Sequence, residues 1–488
     1  MCILLREGLW LRKYTLYVIR GIVTGSAKTL SCIDCDCNFT KTGHVYNAVR
    51  SAKMKFETSR SLRARAHELI PGGCHTYAKG DDQYPELSPG FIARGKGCRV
   101  WDVDGNEFIE YGMGLRSVTL GHAYPAVVAA AARQMELGNN FTRPAAIEVE
   151  YAEALAEVIP CAEMVKFAKD GSTVTTAAIK LARAYTGREL VALCKDHPFF
   201  SYNDWFIGTT PMRAGVPDSA VSASLGFGYN DIASLERLFQ EHPGKIAAVI
   251  LEPERDQPPE KNYLQELREL CTREGAVLVF DETITGFRWA IGGGQEVHGV
   301  LPDLATFGKA IANGFALSAL VGRRDIMELG GIRHDGERVF LLSSTHGAEN
   351  HAIAAAKATL DIYRSDDVLG HLHQQGGRLI REIGEVAVAH GVNDQIQVVG
   401  HPANLVFATR DAAGRPSQLY RTLMLQELIR NGVLAPSLVV SYSHSEEDID
   451  KTVRAFDAAM GVYRQAQEVG AEKFVVGPSI KPVYRTRN

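Results

Sequence analysis

Short runs of apolar residues alternate with amphipathic segments through the middle of this 488-residue chain, and this alternation limits the possible folds more than any other feature. Segments with helical spacing, such as Thr175–Tyr185 and Tyr263–Glu274, separate the apolar runs. Apolar strands joined by helices are typical of βαβ units with a mostly parallel sheet. The sequence therefore predicts an α/β fold. The predicted buried strands are Val165–Ala168, Ile246–Leu251, Ala276–Phe280 and Leu304–Phe307.

The flanking parts of the chain predict a smaller, mixed structure. Ser59–Leu69 has helical spacing and is stopped by Pro71-Gly72-Gly73, and the Asp104-Gly105 pair favours a hairpin turn. From about Ala352 a long helix leads into a C-terminal part with fewer apolar runs. We expect this part to be a smaller α+β domain.

Charge and cysteine content exclude several classes of protein. The 53 basic and 57 acidic residues nearly balance, which argues against a nucleic-acid-binding protein. No apolar run reaches about 18 residues, so no transmembrane helix is predicted. The nine cysteines favour reduced thiols in a cytoplasmic enzyme over a disulfide framework.

The sequence pattern of residues 1–55 differs from that of the rest of the chain. Leu4 to Val23 is apolar but interrupted by basic residues, which leaves a targeting segment as an alternative. Cys32, Cys35 and Cys37 lie close together, but no second cluster completes a four-ligand metal site. We interpret residues 1–55 as a poorly ordered extension and predict no metal site.

Two carboxylates follow the apolar run that ends at Phe280. Asp281 lies at the carboxyl end of a predicted strand, where ligands bind in open α/β sheets. A helix N-cap is the alternative, because aspartate is common there. An Asp-Glu pair also occurs in nucleotide-hydrolysing proteins, but the chain has no phosphate loop ending in Gly-Lys-Ser/Thr.

Lys309 follows the predicted strand Leu304–Phe307 and Gly308, and small residues come after it. A lysine in apolar surroundings is only partly hydrated, which lowers its pKa and prepares the amine to attack a carbonyl. The alternative is a surface lysine after a turn.

A third motif lies between the strand ending at Ala168 and the following helix. Gly171, Ser172 and Thr173 would offer backbone N–H groups and hydroxyls to a phosphate, with an ordinary capped helix as the alternative. A lysine, a carboxylate and a phosphate-binding helix start are together what a pyridoxal phosphate (PLP) site requires.

From about Phe56 to Met460 the chain resembles the class III PLP-dependent aminotransferases of fold type I, and most closely the glutamate-1-semialdehyde aminomutases among them. The resemblance implies an amino-group-transferring enzyme with a large domain built on a mostly parallel sheet and a smaller α+β domain. A transaminase, an aminomutase forming 5-aminolevulinate and a non-catalytic PLP-binding relative are the alternatives. The motifs in family order are Pro71-Gly72-Gly73, Trp101-Asp102-Val103-Asp104-Gly105-Asn106, Leu120-Gly121-His122, Glu252-Pro253, Asp281-Glu282-Thr283-Ile284-Thr285-Gly286-Phe287-Arg288, Pro302-Asp303, Gly308-Lys309 and His444-Ser445-Glu446-Glu447-Asp448.

The resemblance also implies residue roles. Lys309 would hold PLP as a Schiff base and move the substrate proton, and Asp281 would pair with the pyridine nitrogen. The phosphate would be held by Gly171, Ser172 and Thr173. Further cofactor contacts are expected at Phe199, Glu252, Thr283 and Thr345.

Departures from the family fall in the substrate pocket. Lys79 stands where the aminomutases carry an arginine that holds the substrate carboxylate, and a lysine cannot make the bidentate contact. Arg116 ends a run that replaces a Ser-Trp-Gly-Pro stretch of the family, and it is a candidate anchor for an anionic group or else part of a structural ion pair. The stretch 435–443 also lacks an acidic residue of the aminomutases. These changes favour transamination of a different substrate with unchanged cofactor chemistry.

Domain organisation and assembly are further implications of the resemblance. Residues 56–114 are expected to contribute to the small domain, 115–365 to form the large PLP-binding domain and 366–488 the C-terminal small domain. Thr345 matches a threonine that reaches the phosphate of the partner subunit, which implies a homodimer with shared active sites. The partners would be a small-molecule amino donor and a carbonyl acceptor, with neither nucleic acid nor membrane.

Overall fold

The computed structural model describes residues 54–486. The predictions made for Leu4 to Val23 and for Cys32, Cys35 and Cys37 lie outside the described residues.

The strands are β1 (Ile92–Lys96), β2 (Arg99–Asp102), β3 (Glu107–Glu110), β4 (Met164–Ala168), β5 (Leu190–Cys194), β6 (Ser224–Phe227), β7 (Ile246–Leu251), β8 (Val277–Asp281), β9 (Leu304–Phe307), β10 (Ser318–Gly322), β11 (Ile396–Val399), β12 (Val406–Thr409) and β13 (Val433–Leu434).

The helices lie mostly between these strands. The longer ones are α1 (Glu57–Leu69), α2 (Pro125–Leu137), α3 (Ala146–Val158), α4 (Gly171–Thr186), α5 (Ile232–Glu241), α6 (Tyr263–Glu274), α7 (Asn350–Ser365), α8 (Val368–His390), α9 (Gln418–Arg430) and α10 (Glu446–Val469). Shorter helical segments span Asp204–Ile207, Asp218–Ser222, Gly294–His298 and Arg324–Met327.

Strands β4 to β10 form a seven-stranded sheet in the order β4-β10-β9-β8-β7-β5-β6. Strand β10 runs antiparallel to both of its neighbours, and the other pairings are parallel. The central strands β7 and β8 are buried along their whole length, as strands covered on both faces must be. The predicted α/β fold with a mostly parallel sheet is confirmed.

The predicted boundaries agree closely with the structure, and the differences have local causes. The helix predicted from Thr175 begins instead at Gly171. Asp170 causes the earlier start, because its Oδ1 accepts a hydrogen bond from the Thr173 N–H at 2.9 Å and caps the helix there. The strand predicted to end at residue 280 is shifted by one residue and ends on Asp281.

A second sheet contains strands from both ends of the described chain. Strands β1, β2 and β3 are antiparallel, and the turn between β2 and β3 contains the predicted Asp104-Gly105 pair. Strand β13 adds in parallel to β3, with Val433 opposite Ile109. Positions 92–110 and 433–434 therefore share one sheet.

Helix α10 is tied to the same sheet through its first turn. Ser445 and Asp448 form a capping box there, in which the two side chains exchange hydrogen bonds with the backbone. The Asp448 carboxylate also pairs with Arg99 of β2. The C-terminal helix is thereby anchored to the strands that precede the large sheet.

Two further observations bear on the environment of the protein. Within residues 54–486, no helix is long and apolar enough to cross a bilayer. The five cysteines in the same range are all free, and Cys98, Cys161, Cys194 and Cys271 are buried. This is the state expected of reduced thiols.

Candidate active site

Six strands of the large sheet end at the same edge. Strands β4 to β9 point in one direction, so their carboxyl ends meet where open α/β sheets bind ligands. Gly171 follows β4, Glu252 follows β7, Asp281 ends β8 and Lys309 follows β9. The topology thus brings the three motifs predicted from the sequence to one place.

Asp281 is 5% exposed at this edge. Its Oδ1 accepts hydrogen bonds from the Thr283 N–H at 3.1 Å and the Thr306 hydroxyl at 3.0 Å, while Oδ2 makes none within the described chain. Burial and the nearby Glu252 carboxylate raise the pKa of Asp281, against the opposing effect of Lys309. A cationic group at Oδ2 would favour the ionised carboxylate.

Lys309 is half-buried and lies in the left-handed region of the backbone, with a φ of 46°. Residues other than glycine adopt this conformation at a cost, and such strain collects at functional sites. Burial lowers the pKa of the amine to about 8, although Asp281 and Glu252 raise it. Arg288 and Arg116 lower it further. A substantial fraction of the amine is therefore neutral near physiological pH and able to attack a carbonyl.

Asn313 fixes the loop that follows β9. Its Oδ1 accepts hydrogen bonds from the N–H groups of Thr119 at 3.0 Å and Leu120 at 2.9 Å, and its Nδ2 donates to the Gly121 carbonyl at 3.0 Å. Its φ of 42° is also left-handed, which asparagine tolerates better than most residues. Sequence reasoning missed this residue, although an asparagine directly before Gly314 is a signal for such a turn.

Helix α4 presents its N-terminus to the site. The N–H groups of Gly171 and Ser172 are in its first turn and have no intrahelical acceptor. The Ser172 hydroxyl accepts a hydrogen bond from the Tyr202 N–H at 3.1 Å, which leaves its own proton for a ligand. Thr173 differs from the expectation, because both its hydroxyl and its N–H donate to the Asp170 side chain. Gly171 and Ser172 are the donors available to a phosphate.

The residues between these groups fit a planar polar cofactor. Within the described chain, the buried Thr283 Oγ1 and Glu252 Oε2 have no hydrogen-bond partner, and such atoms are rare unless a ligand satisfies them. Thr283 also borders two glycines. A Cβ atom placed at Gly171 would lie 3.5 Å from Thr283 Cγ2, and one at Gly308 would lie 3.2 Å from it. PLP, with its ring nitrogen, phosphate and aldehyde, matches this set of groups.

Two predicted cofactor residues lie on exposed loops. The Phe199 side chain is 46% exposed and packs edge-on against Phe206, with ring centroids 5.7 Å apart. Thr345 is exposed in the loop before α7, and its carbonyl accepts a hydrogen bond from Asn140 Nδ2 at 2.8 Å. Within the described chain, the contacts found for Phe199 and Thr345 are therefore with Phe206 and Asn140 and not with the residues at the carboxyl ends of the strands.

Lys79 lies between α1 and β1. It is exposed on a 3₁₀ turn and lines a cavity of about 530 Å³ together with Gly112 and Leu115. Lys309 is not among the residues that line this cavity.

Arg288 and Arg255 were missed as residues near the site by sequence reasoning. Arg288 is completely buried, and its Nη1 donates to the Ile284 carbonyl at 3.0 Å. Its Nε and Nη2 have no partner within the described chain. Arg255 donates to Glu252 Oε1 at 2.7 Å. Their positions in the segments that follow β7 and β8 were the available signal, because the ends of these strands also position Glu252 and Asp281.

Arg116, the predicted anion anchor, ends a left-handed turn. Met113, Gly114, Leu115 and Arg116 all have positive φ values, between 42° and 72°. Each residue other than glycine pays about 1–2 kcal/mol for this conformation. The Arg116 Nε donates to Asn404 Oδ1 at 2.6 Å. A turn with this cost in conformational free energy is stable only where contacts with the surrounding structure hold it in place.

This fold and this site define a PLP-dependent enzyme of fold type I. The chain belongs to the class III aminotransferases, because the profile of that family matches residues 80–460. The predicted cofactor, PLP, and the predicted amino-group-transfer chemistry are confirmed by this membership and by solved relatives that contain PLP.

Individual relatives illustrate the range of the family. A glutamate-1-semialdehyde 2,1-aminomutase of Syntrophomonas wolfei subsp. wolfei is 33% identical over 432 residues, which cover 83% of this chain and 98% of the relative. A 3-aminobutyryl-CoA aminotransferase of Cloacimonas acidaminovorans is 33% identical over 414 residues, covering 83% and 96%. The FumI protein of Sphingopyxis sp. MTA144, solved in its PLP internal aldimine form, superimposes with a TM-score of 0.77 at 29% identity, covering 84% of this chain and 97% of FumI.

The lowered pKa of Lys309 predicts how cofactor loading depends on pH. Protein freed of cofactor should take up PLP at a rate that rises with pH and levels off above about 8, because only the neutral amine attacks the aldehyde. Stopped-flow absorbance measures this rate. In D281N the midpoint should move to lower pH, since Asp281 raises the amine's pKa. A wild-type rate that keeps rising to the ordinary lysine pKa of about 10.4 would contradict the assignment.

Proposed function

We propose that the protein is a PLP-dependent transaminase in which Lys309 and Asp281 are the catalytic residues. The observation that carries the proposal is the partly neutral amine of Lys309 at the same strand ends as the buried Asp281 carboxylate. Membership of the class III family supports it. One small molecule would donate its amino group and leave as a carbonyl compound, and a second carbonyl compound would accept the amino group.

Each site residue has a distinct task in this proposal. PLP supplies an electron sink for the electron pair released at the substrate carbon. Asp281 Oδ2 would keep the ring nitrogen protonated, and the α4 N-terminus at Gly171 and Ser172 would hold the phosphate. Lys309, once displaced by the substrate amine, would carry the proton away from the substrate carbon. Its lowered pKa suits a base that must be neutral at the start of this step.

Intramolecular amino transfer on glutamate-1-semialdehyde is the second candidate. The Syntrophomonas wolfei aminomutase supports it through its similarity along most of the chain. Transamination is favoured because Lys79 lacks the guanidinium fork of the aminomutase arginine and cannot hold a carboxylate in the same bidentate way. The relative named 3-aminobutyryl-CoA aminotransferase supports the same choice.

We also propose a homodimer with shared active sites. Residues 332–349 contain neither helix nor strand, and this loop exposes Ile332 (79%), Phe340 (74%) and Thr345. Large apolar side chains so exposed are typical of protein interfaces. In the second subunit of such a dimer, Thr345 would complete the phosphate site of the first.

Cellular location and domain division complete the proposal. A cytoplasmic location is supported by the five free cysteines within residues 54–486. A large domain of residues 115–365, with a small domain from 56–114 and 366–488, is supported by the pairing of β13 with β3.

A transaminase and an aminomutase would form different products from glutamate-1-semialdehyde. Enzyme loaded with pyridoxamine phosphate and supplied with glutamate-1-semialdehyde should form no 5-aminolevulinate, because Lys79 cannot hold the carboxylate as an arginine would. Mass spectrometry detects the product, and K79R serves as the variant that restores the aminomutase residue. Formation of 5-aminolevulinate by the wild type would eliminate the transaminase assignment in favour of the aminomutase.

Mixed dimers test whether the sites are shared. K309A and T345E should each be nearly inactive, the second because a carboxylate repels the cofactor phosphate. If Thr345 serves the opposite subunit, a mixed dimer contains one intact site, and an equal mixture regains about a quarter of wild-type activity by random pairing.

The control for this experiment is a mixture of K309A and D281A. These two residues belong to one subunit's site in any pairing, so no activity should return. Absence of recovery with K309A and T345E, in a mixture that demonstrably exchanges subunits, would refute the shared site.

A further inference from the structure

An ion pair links the turn before α4 to the loop that contains Thr345. The Lys169 ammonium contacts one carboxylate oxygen of Glu349, and His346 Nδ1 lies 3.0 Å from the other. The hydrogen bond from Lys169 lowers the pKa of Glu349, so this carboxylate is ionised near neutral pH. Lys169 lies two positions before Gly171 of the proposed phosphate site, and His346 directly follows Thr345. The pair therefore connects one phosphate-binding segment of the chain to the loop proposed to serve the other subunit.

Lys169 is the fixed member of this pair. Strand β4 ends one residue earlier, where Ala168 is paired with Ser318 of β10. The Ser318 hydroxyl also donates to the Asp170 carbonyl at 2.8 Å, and the Asp170 side chain caps helix α4. The backbone on both sides of Lys169 is thus held in place, which limits the positions that its ammonium group can reach.

Glu349 is the member that belongs to the loop. It is the last residue of loop 332–349, directly before α7, and its side chain is only 18% exposed. The same loop is also attached through Asn140, whose Nδ2 donates to the Thr345 carbonyl at 2.8 Å. Both attachments leave the Thr345 side chain exposed. The loop end is therefore fixed to the body of the subunit, with the Thr345 hydroxyl directed away from these contacts.

We infer that the ion pair between Lys169 and Glu349 positions Thr345 for the phosphate of PLP in the partner subunit. The inference rests on the proposed function and its homodimer, and it adds two positioning residues that do not contact the cofactor. Because the loop contains neither helix nor strand, ordering it costs conformational entropy, and the ion pair offsets this cost before the cofactor binds. A partly buried pair contributes more than an exposed pair, since less water competes for its charges.

The rate at which PLP leaves the enzyme tests the inference. K169M and E349Q homodimers should each release PLP about tenfold to a hundredfold faster than the wild type, because each variant removes a charge-assisted contact. Absorbance during dialysis measures the release. The reversed pair K169E/E349K should release PLP more slowly than K169E or E349K alone, since the attraction is restored. Release at the wild-type rate in both K169M and E349Q would overturn the inference.

A mixed dimer shows which subunit's site the ion pair serves. One subunit has K309A and the other has E349Q, and two different affinity tags separate this dimer from the homodimers. Only the E349Q subunit keeps Lys309, so the absorption band of lysine-bound PLP reports on its site alone. The K309A subunit supplies an intact ion pair to that site, and PLP should leave at the wild-type rate. Release at the rate of the E349Q homodimer would overturn the inference, because Lys169 and Glu349 would then serve their own subunit's cofactor.

K357M is the matched control. Lys357 lies on α7 and pairs with Glu150 of α3, where the two side chains are 40% and 51% exposed. This variant should release PLP as the wild type does, because the pair does not involve the loop.

Hydrogen exchange of residues 343–349 in protein freed of cofactor gives a reading that does not depend on PLP. Exchange should be faster in E349Q than in the wild type or K357M, because the loop end is released. Equal exchange in all three proteins would overturn the inference. A wild type that takes up no PLP, or that is monomeric, would instead refute the proposed function or its homodimer, and hydrogen exchange still tests the ion pair in that protein.

Discussion

Burial of the Lys309 amine determines the chemistry that this site can perform, because it sets the fraction of the amine that is neutral. Burial lowers the pKa of this amine to about 8 even though Asp281 and Glu252 favour its charged form. The fold places this amine at the edge where six parallel strands end, and the backbone of Lys309 is left-handed there. The Asn313 side chain holds the loop in place by three hydrogen bonds to residues 119–121.

Glu252 interacts both with the Asp281 and Lys309 pair and with Arg255. Its charge raises the pKa of both Asp281 and Lys309, while its Oε1 accepts a hydrogen bond from Arg255. Oε2 has no partner within residues 54–486. A cofactor bound at Asp281 would therefore change the electrostatic environment of Glu252 as well.

The sequence was sufficient to predict the sheet and the proximity of Asp281 and Lys309, but not the contacts of Arg116 and Thr173. Strand and helix positions follow from local periodicity, so Ile246–Leu251, Tyr263–Glu274 and Leu304–Phe307 agree with the structure residue for residue. Asp281 and Lys309 could be paired because carboxyl ends of parallel strands meet. The association of Arg116 with Asn404 could not, since 288 positions separate them and only the folded chain brings them together. The engagement of Thr173 by Asp170 likewise depends on where α4 begins.

Covalent trapping of the cofactor would show whether PLP is attached to Lys309. Borohydride treatment of the PLP-loaded protein fixes the cofactor on its lysine, and peptide mass analysis locates the adduct. We expect a single phosphopyridoxyl label on Lys309, and no specific label in K309A. A label on any other lysine of the wild-type protein would contradict this expectation.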